Sequence, residues 1–409
     1  MGKHARRRQS RLRARVVGTT GTLAVVLGAG IGPATAAEKT AGAPMARATA
    51  LDPPPAPGQL TLPAPTGRYR VGTVDLHLRD ATRADPWVPG NQPRELMVSL
   101  WYPATHTGRY PAARLPNSQQ VLPGGAILPT TAGHLGAPVD HRAGKLPVLL
   151  YSPGLHGSRA SGTSLVQDLA SRGYLVVTID HTHDASEVLF PGGRREVNTM
   201  PPGTHASHTI AVRAADTHFV INQLAALAHG HNPDVEHAPL PHGLAHAVNM
   251  HRIGMFGASL GGGAVPAAMH ADSRIRAGAN LDGQLFGSEV KKPLDRPFLL
   301  FSSQHHNRGT DGSWAQFWKH LHGERLDLRL RGAEHNSFTD AEALLPQAPG
   351  AYGYTPPQLV PILGTIAPDR AIEIQRRYLA AFFDKHLRDR HGHLLDGPSH
   401  RYPEVAFVR

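Results

Sequence analysis

Short apolar runs, punctuated by Gly, Pro, Asn and Asp, set the rhythm of this chain from residue 71 onward. Eight of them read as strands: Val71–Leu78, Glu95–Tyr102, Leu146–Ser152, Tyr174–Asp180, Arg252–Phe256, Ile275–Leu281, Phe298–Ser303 and Leu326–Arg331. Five further stretches read as helices: Ser161–Ser171, Ile210–Ala228, Leu260–His270, Ser313–His320 and Arg370–Leu387. The first two strands have no helix between them, whereas from the third onward strands and helices alternate. That order predicts an α/β fold with an antiparallel edge leading into a central, mostly parallel, eight-stranded sheet flanked by helices. Three irregular stretches interrupt it: Arg109–Arg142, Asp184–Ser207 and Thr339–Ala367. Long loops at the carboxyl ends of parallel strands commonly wall a site. The last one holds Leu344, Leu345, Tyr352, Tyr354, Leu359, Val360, Ile362 and Leu363. It reads either as an apolar rim for transient contact with a lipid surface or as a loop tucked onto the core.

The first residues follow a different pattern. Residues 1–36 carry seven Lys or Arg and no acid, against a net charge of +11 for all 409 residues. The basic run leads into the small, apolar stretch Val16–Ile31 and then into Ala34-Thr35-Ala36. This is the layout of a secretory signal peptide, with cleavage expected after Ala36 and an extracellular destination. The apolar stretch is short and glycine-rich for a membrane span, so no transmembrane segment is expected in the mature chain. With so much of the positive charge in the leader, the balance does not point to a nucleic-acid partner. Residues 37–66, rich in Ala, Pro and Thr and containing Pro53-Pro54-Pro55, read as a disordered linker, and 67–409 as the folded domain. Apolar residues make up 40% of the chain, enough for a core. The absence of cysteine excludes disulfides, a thiol nucleophile and a thiolate metal site.

The most informative segment is Arg252 to Gly263, a short strand, a turn and the start of a helix, with Gly257-Ala258-Ser259-Leu260-Gly261 at the turn. That G-x-S-x-G pattern is the nucleophile elbow of an α/β-hydrolase. The tight turn demands small residues two positions either side of the serine. It holds the hydroxyl clear of the backbone at a helix N-terminus, where amides and the helix dipole favour an anion.

A serine hydroxyl needs a base, an acid to orient that base, and donors for the oxyanion. In this fold the chain order is Ser, acid, His. The loop after the eighth strand, Gly332-Ala333-Glu334-His335, offers His335 as the base. Two carboxylates compete for the acid: Asp282 at the tip of the sixth strand, and Asp311 after the seventh, which resembles a helix N-cap. The rigid strand-tip position favours Asp282. The oxyanion donors expected are Leu260 N–H and, from Pro153-Gly154-Leu155-His156-Gly157 after the third strand, Leu155 N–H. His181, His183, Asp184, His305 and His306 do not assemble a well-spaced metal motif.

Several segments resemble the platelet-activating factor acetylhydrolases of the plasma and type II kind and their bacterial esterase and lipase relatives. They are Ser99 to Pro103, Tyr151 to Leu155, Ala170 to Tyr174 continuing to Asp180-His181, and Gly257 to Gly262. Asn280 to Gly283, His335 to Asp340 and Tyr378 to Asp384 follow in order. The resemblance implies an α/β-hydrolase that cleaves lipid esters through an acyl-enzyme, without metal or cofactor. It implies Ser259 as nucleophile, Asp282 as acid, His335 as base, and the Leu155 and Leu260 amides as oxyanion hole. It departs at Pro153, where animal members carry a histidine and bacterial esterases a proline. Phospholipid, acylglycerol and polyester therefore all stand as substrates. A rival of another class is a lipid-binding protein on a hydrolase scaffold.

Overall fold

Burial on one face or on two separates the edge of the sheet from its centre. The computed structural model describes residues 58–408; the expected signal peptide, and residues 37–57 of the expected linker, lie outside the described residues. In chain order the strands are β1 (Arg70–Ala84), β2 (Pro93–Ala104), β3 (Ala112–Arg114), β4 (Thr130–Leu135), β5 (Leu146–Ser152), β6 (Leu175–Asp180), β7 (Glu187–Leu189), β8 (Arg195–Val197), β9 (Val248–Ala258), β10 (Ile275–Leu281), β11 (Phe298–Ser302), β12 (Arg325–Leu330) and β13 (Val405–Phe407). The helices are α1 (Thr163–Ser171), α2 (Ala206–Ala228), α3 (Leu244–Ala247), α4 (Leu260–Ala271), α5 (Gly312–His320), α6 (Ala341–Leu344), α7 (Pro356–Leu363) and α8 (Pro368–Arg388).

Among the described residues eleven strands form one sheet in the order β13-β12-β11-β10-β9-β5-β6-β2-β1-β4-β3, and β7 pairs with β8 in a separate hairpin. β1–β2 and β2–β6 are antiparallel, and β6-β5-β9-β10-β11-β12 run parallel. The parallel strands β5 and β6 are buried at every residue, as strands covered on both faces must be. Successive side chains of β5 serve opposite faces. Leu146, Val148 and Leu150 enter the core under α2, α4 and α5, whereas Leu149 and Tyr151 enter the one under α1 and α8. The structure of the fold is that of an α/β-hydrolase.

All eight expected strands are present, but the sheet has eleven. The three additions, β3, β4 and β13, lie at its two edges. Two of them are only three residues long. Such segments have too little alternation to read locally and take their conformation from the neighbour they pair with. The linker boundary also moves. Gln59 bridges Ile127, Leu60 is buried with Leu115, Leu122, Leu128 and Leu344, and the Thr66 N–H and hydroxyl both donate to Asp168. Residues 58–66 are therefore docked on the domain, because Leu60 and Leu62 supply apolar contacts among the prolines. The Thr339–Ala367 stretch, expected as irregular, folds into α6 and α7. Its Leu345, Leu359 and Leu363 pack together inward, and Val360 stays exposed. Among the described residues no helix is long and apolar enough to cross a membrane.

Candidate active site

β9 ends at Ala258 and α4 begins at Leu260, so Ser259 alone makes the turn, with φ 54° and ψ −128°. A non-glycine residue there stores about 1–3 kcal/mol of strain, which the surrounding packing has to hold. The flanking glycines are obligatory. A Cβ on Gly257 would lie 2.4 Å from the Gly261 carbonyl carbon, and one on Gly261 would lie 2.0 Å from Ser152 O. The Ser259 N–H donates to Leu281 O at 2.9 Å, fastening the elbow to the end of β10.

Asp282 follows directly at that end, also with positive φ (56°), and is 3% exposed. Its Oδ1 accepts the Ser303 N–H at 2.7 Å and His306 Nδ1 at 3.1 Å, and its Oδ2 accepts His335 Nδ1 at 2.7 Å. Burial by itself pushes this carboxyl up; the hydrogen bonds and charges of His306 and His335 outweigh it and bring the pKa to about 2. Asp282 is thus a carboxylate at neutral pH.

His335 opens a single helical turn after β12. Glu334 and Ser337 cap that turn reciprocally, and the buried Phe338 anchors it in the core. The imidazole is half exposed, and its Nε2 stands 2.9 Å from Ser259 Oγ. With Nδ1–H donated to the carboxylate, Nε2 is left as acceptor for the serine hydroxyl. The expected Ser259, His335 and Asp282 are therefore joined in one hydrogen-bonded chain.

Leu155 and Leu260 lie on the two segments that meet at Ser259. A Cβ on Gly154 would sit 3.3 Å from Ser259 Cβ, so the loop after β5 touches the nucleophile. Asp311, the alternative acid, caps α5 through the Ser313 N–H at 2.7 Å. It lies one imidazole further out: His306 Nε2 meets Asp311 Oδ2 at 2.8 Å. His306 between two carboxylates is the part that sequence reasoning missed. Burial pushes its pKa down, but bonds to Asp282 and Asp311 lift it to about 9. Its signal was present, a His-His pair just after β11, but only the fold turns His306 toward Asp282. His181 bonds Asp216 and Ser152, and His183 bonds Asp85, inside a buried ionic network rather than around a vacant centre. Among the described residues no three His, Asp or Glu side chains are grouped to hold a metal ion.

The family model for platelet-activating factor acetylhydrolase, isoform II, matches residues 56–191 and 205–395. A probable 1-alkyl-2-acetylglycerophosphocholine esterase of Arthroderma benhamiae is 31% identical over 395 residues, covering 86% of this chain and 95% of the relative. The platelet-activating factor acetylhydrolase of Cavia porcellus is 20% identical over 81% of this chain and 79% of its own. A solved ferulic acid esterase from Streptomyces cinnamoneus superposes with a TM-score of 0.74 at 36% identity, over 86% of this chain and 99% of that one. The chain belongs to the platelet-activating factor acetylhydrolase isoform II family of α/β-hydrolases.

Proposed function

We propose that this carboxylic ester hydrolase works through Ser259 as nucleophile, His335 as general base and Asp282 as the acid that orients it. The observation that carries the reading is the unbroken chain from Ser259 Oγ to His335 (2.9 Å) to Asp282 (2.7 Å). His335 takes the proton as Ser259 attacks the ester carbonyl. The tetrahedral oxyanion is held by the Leu155 and Leu260 N–H groups, and the N-terminus of α4 favours its charge. His335 then passes the proton to the leaving alcohol, which departs, leaving an acyl-enzyme. Water, deprotonated by His335, releases the acid and regenerates Ser259.

The substrates proposed are carboxylic esters of lipids, either short-acyl phospholipids or acylglycerols, in line with the names of the sequence relatives. One observation favours a second reading: the structural relative at 36% identity is a ferulic acid esterase, which points to a hydroxycinnamate ester. We also propose that the chain is exported with cleavage after Ala36.

Ser259→Ala is expected to lower turnover of p-nitrophenyl acetate and butyrate by several orders of magnitude. Near wild-type rates would sink the assignment of Ser259 as nucleophile; absence of fluorophosphonate labelling at Ser259 would instead favour a binding protein on a hydrolase scaffold. Asp282→Asn is expected to cost about 10⁴ in kcat and Asp311→Asn far less; the reverse order would move the acid to Asp311. A panel of short-chain phosphatidylcholines, triglycerides, a polyester and methyl ferulate then ranks the substrate readings by kcat/KM.

A further inference from the structure

A buried cation stands behind the loop that carries Leu155. Arg213, on α2, is 1% exposed. Its Nε donates to Asp184 Oδ2 at 2.7 Å. Its two terminal nitrogens donate to backbone carbonyls, Nη1 to Pro153 O and Nη2 to Gly154 O, the latter at 3.0 Å. Nη1 also reaches Ser152 Oγ at 3.4 Å. Asp184 in turn accepts the His156 N–H at 3.3 Å. The pair therefore clasps the loop on both sides of Leu155.

The Gly154 carbonyl and the Leu155 N–H belong to one peptide plane. No cis peptide occurs among the described residues, so that plane is trans and its C=O and N–H point in opposite directions. Two donors, Arg213 Nη2 and the Gly157 N–H at 3.0 Å, hold the Gly154 oxygen. They turn the Leu155 N–H away from Arg213. Among the described residues that N–H has no hydrogen-bond acceptor, although the loop touches the nucleophile: a Cβ on Gly154 would lie 3.9 Å from Ser259 Oγ. A charge-assisted bond to the carbonyl also draws electron density toward its oxygen and makes the N–H of the same peptide a stronger donor. Burial keeps water from screening that effect.

We propose that Arg213 is a positioning residue for the oxyanion hole, which aims and polarises the Leu155 N–H through the Gly154–Leu155 peptide. The inference rests on the reading of Leu155 N–H as an oxyanion donor. Asp184 holds the guanidinium in place, and its carboxyl lies below the usual range because the Arg213 charge and hydrogen bond outweigh the effect of burial.

The test is Arg213→Lys, which keeps the charge but loses the planar fork needed to serve Asp184 and two carbonyls together. The expected result is a kcat lower by about ten- to a hundred-fold with KM unchanged. A trifluoromethyl ketone, whose hemiketal oxyanion occupies the hole, should bind more weakly by a similar factor. The acyl-enzyme carbonyl stretch, read by isotope-edited infrared spectroscopy, should move to higher frequency as polarisation is lost. A folded Arg213→Lys protein with wild-type kcat and carbonyl frequency overturns the proposal. So does a loss of kcat with the carbonyl frequency unmoved, which assigns Arg213 to stability alone. If Arg213→Lys does not fold, Arg213→Met with Asp184→Leu removes both buried charges and leaves neither unpaired, and the same readouts decide. Ser259→Ala runs alongside. If it stays active, the reading of the site fails; if it is dead while Arg213→Lys matches wild type, only the role of Arg213 fails.

Discussion

His306 bridges Asp282 and Asp311, at 3.1 and 2.8 Å, and with its pKa near 9 it is an imidazolium at neutral pH. It bonds the oxygen of Asp282 that His335 does not use, which restrains the carboxylate from rotating away from His335. The bridge has a pH signature. The folded pKa lies above that of an unfolded histidine, about 6.5. The stabilisation is therefore complete below pH 6.5 and is lost as pH rises through about 9. His306→Asn is expected to lower stability by roughly 1–3 kcal/mol at pH 6, with the gap to wild type closing toward pH 10. Urea melts across that range check it; a gap that stays constant would show that His306 contributes by packing against Trp314 instead. At this scale Ser259 and His335 were legible in the sequence because each follows a strand at a fixed offset. Arg213 was not, since the carbonyls it holds, Pro153 O and Gly154 O, lie about sixty residues earlier and nothing local marks it.

The turn that presents His335 leans on α6 and α8, and one element there carries an electrostatic burden. Glu342 in α6 is fully buried, its carboxyl oxygens lack a hydrogen-bond partner among the described residues, and burial raises its pKa to about 7. An acid raised in the folded state costs stability as pH climbs from its unfolded pKa near 4.3 to its folded value. Glu342→Gln should flatten that decline: little difference from wild type at pH 4, and a gain of about 1 kcal/mol or more at pH 8. Thermal melts at the two pH values decide, and an equal effect at both would sink the electrostatic account. Elements of this kind were hard to read in advance. Five helices announced themselves by their pattern, whereas the single turn α6 and the proline-containing α7 take their shape from what they cover.

For the whole molecule, the beginning of the folded domain is the boundary that packing changed. Leu60 is 4% exposed in a cluster with Leu115, Leu122, Leu128 and Leu344, and Gln347 Oε1 accepts the Thr61 N–H at 2.9 Å. A chain starting at Gly67 is expected to be less stable than one starting at Gly58 by about 2 kcal/mol, the burial of one leucine side chain. Equal urea midpoints would restore residues 58–66 to the linker. N-terminal sequencing of the exported protein should read from Ala37, and retention of the leader would remove the export reading.

Local pattern was enough for the class of the sheet, the eight expected strands, the tight turn at Ser259 and the chain order of the proposed triad, Ser259, Asp282, His335. Those depend on periodicity and on fixed offsets from strand ends, which are properties of neighbouring residues. The bond from Asp282, already favoured by its strand-tip position, to His335, the His306 bridge and the clasp of Arg213 on the Gly154–Leu155 peptide arise only when distant segments converge. Each depends on the direction of a side chain in a buried, low-dielectric space, and that direction is set by packing across the sheet rather than by the residues beside it.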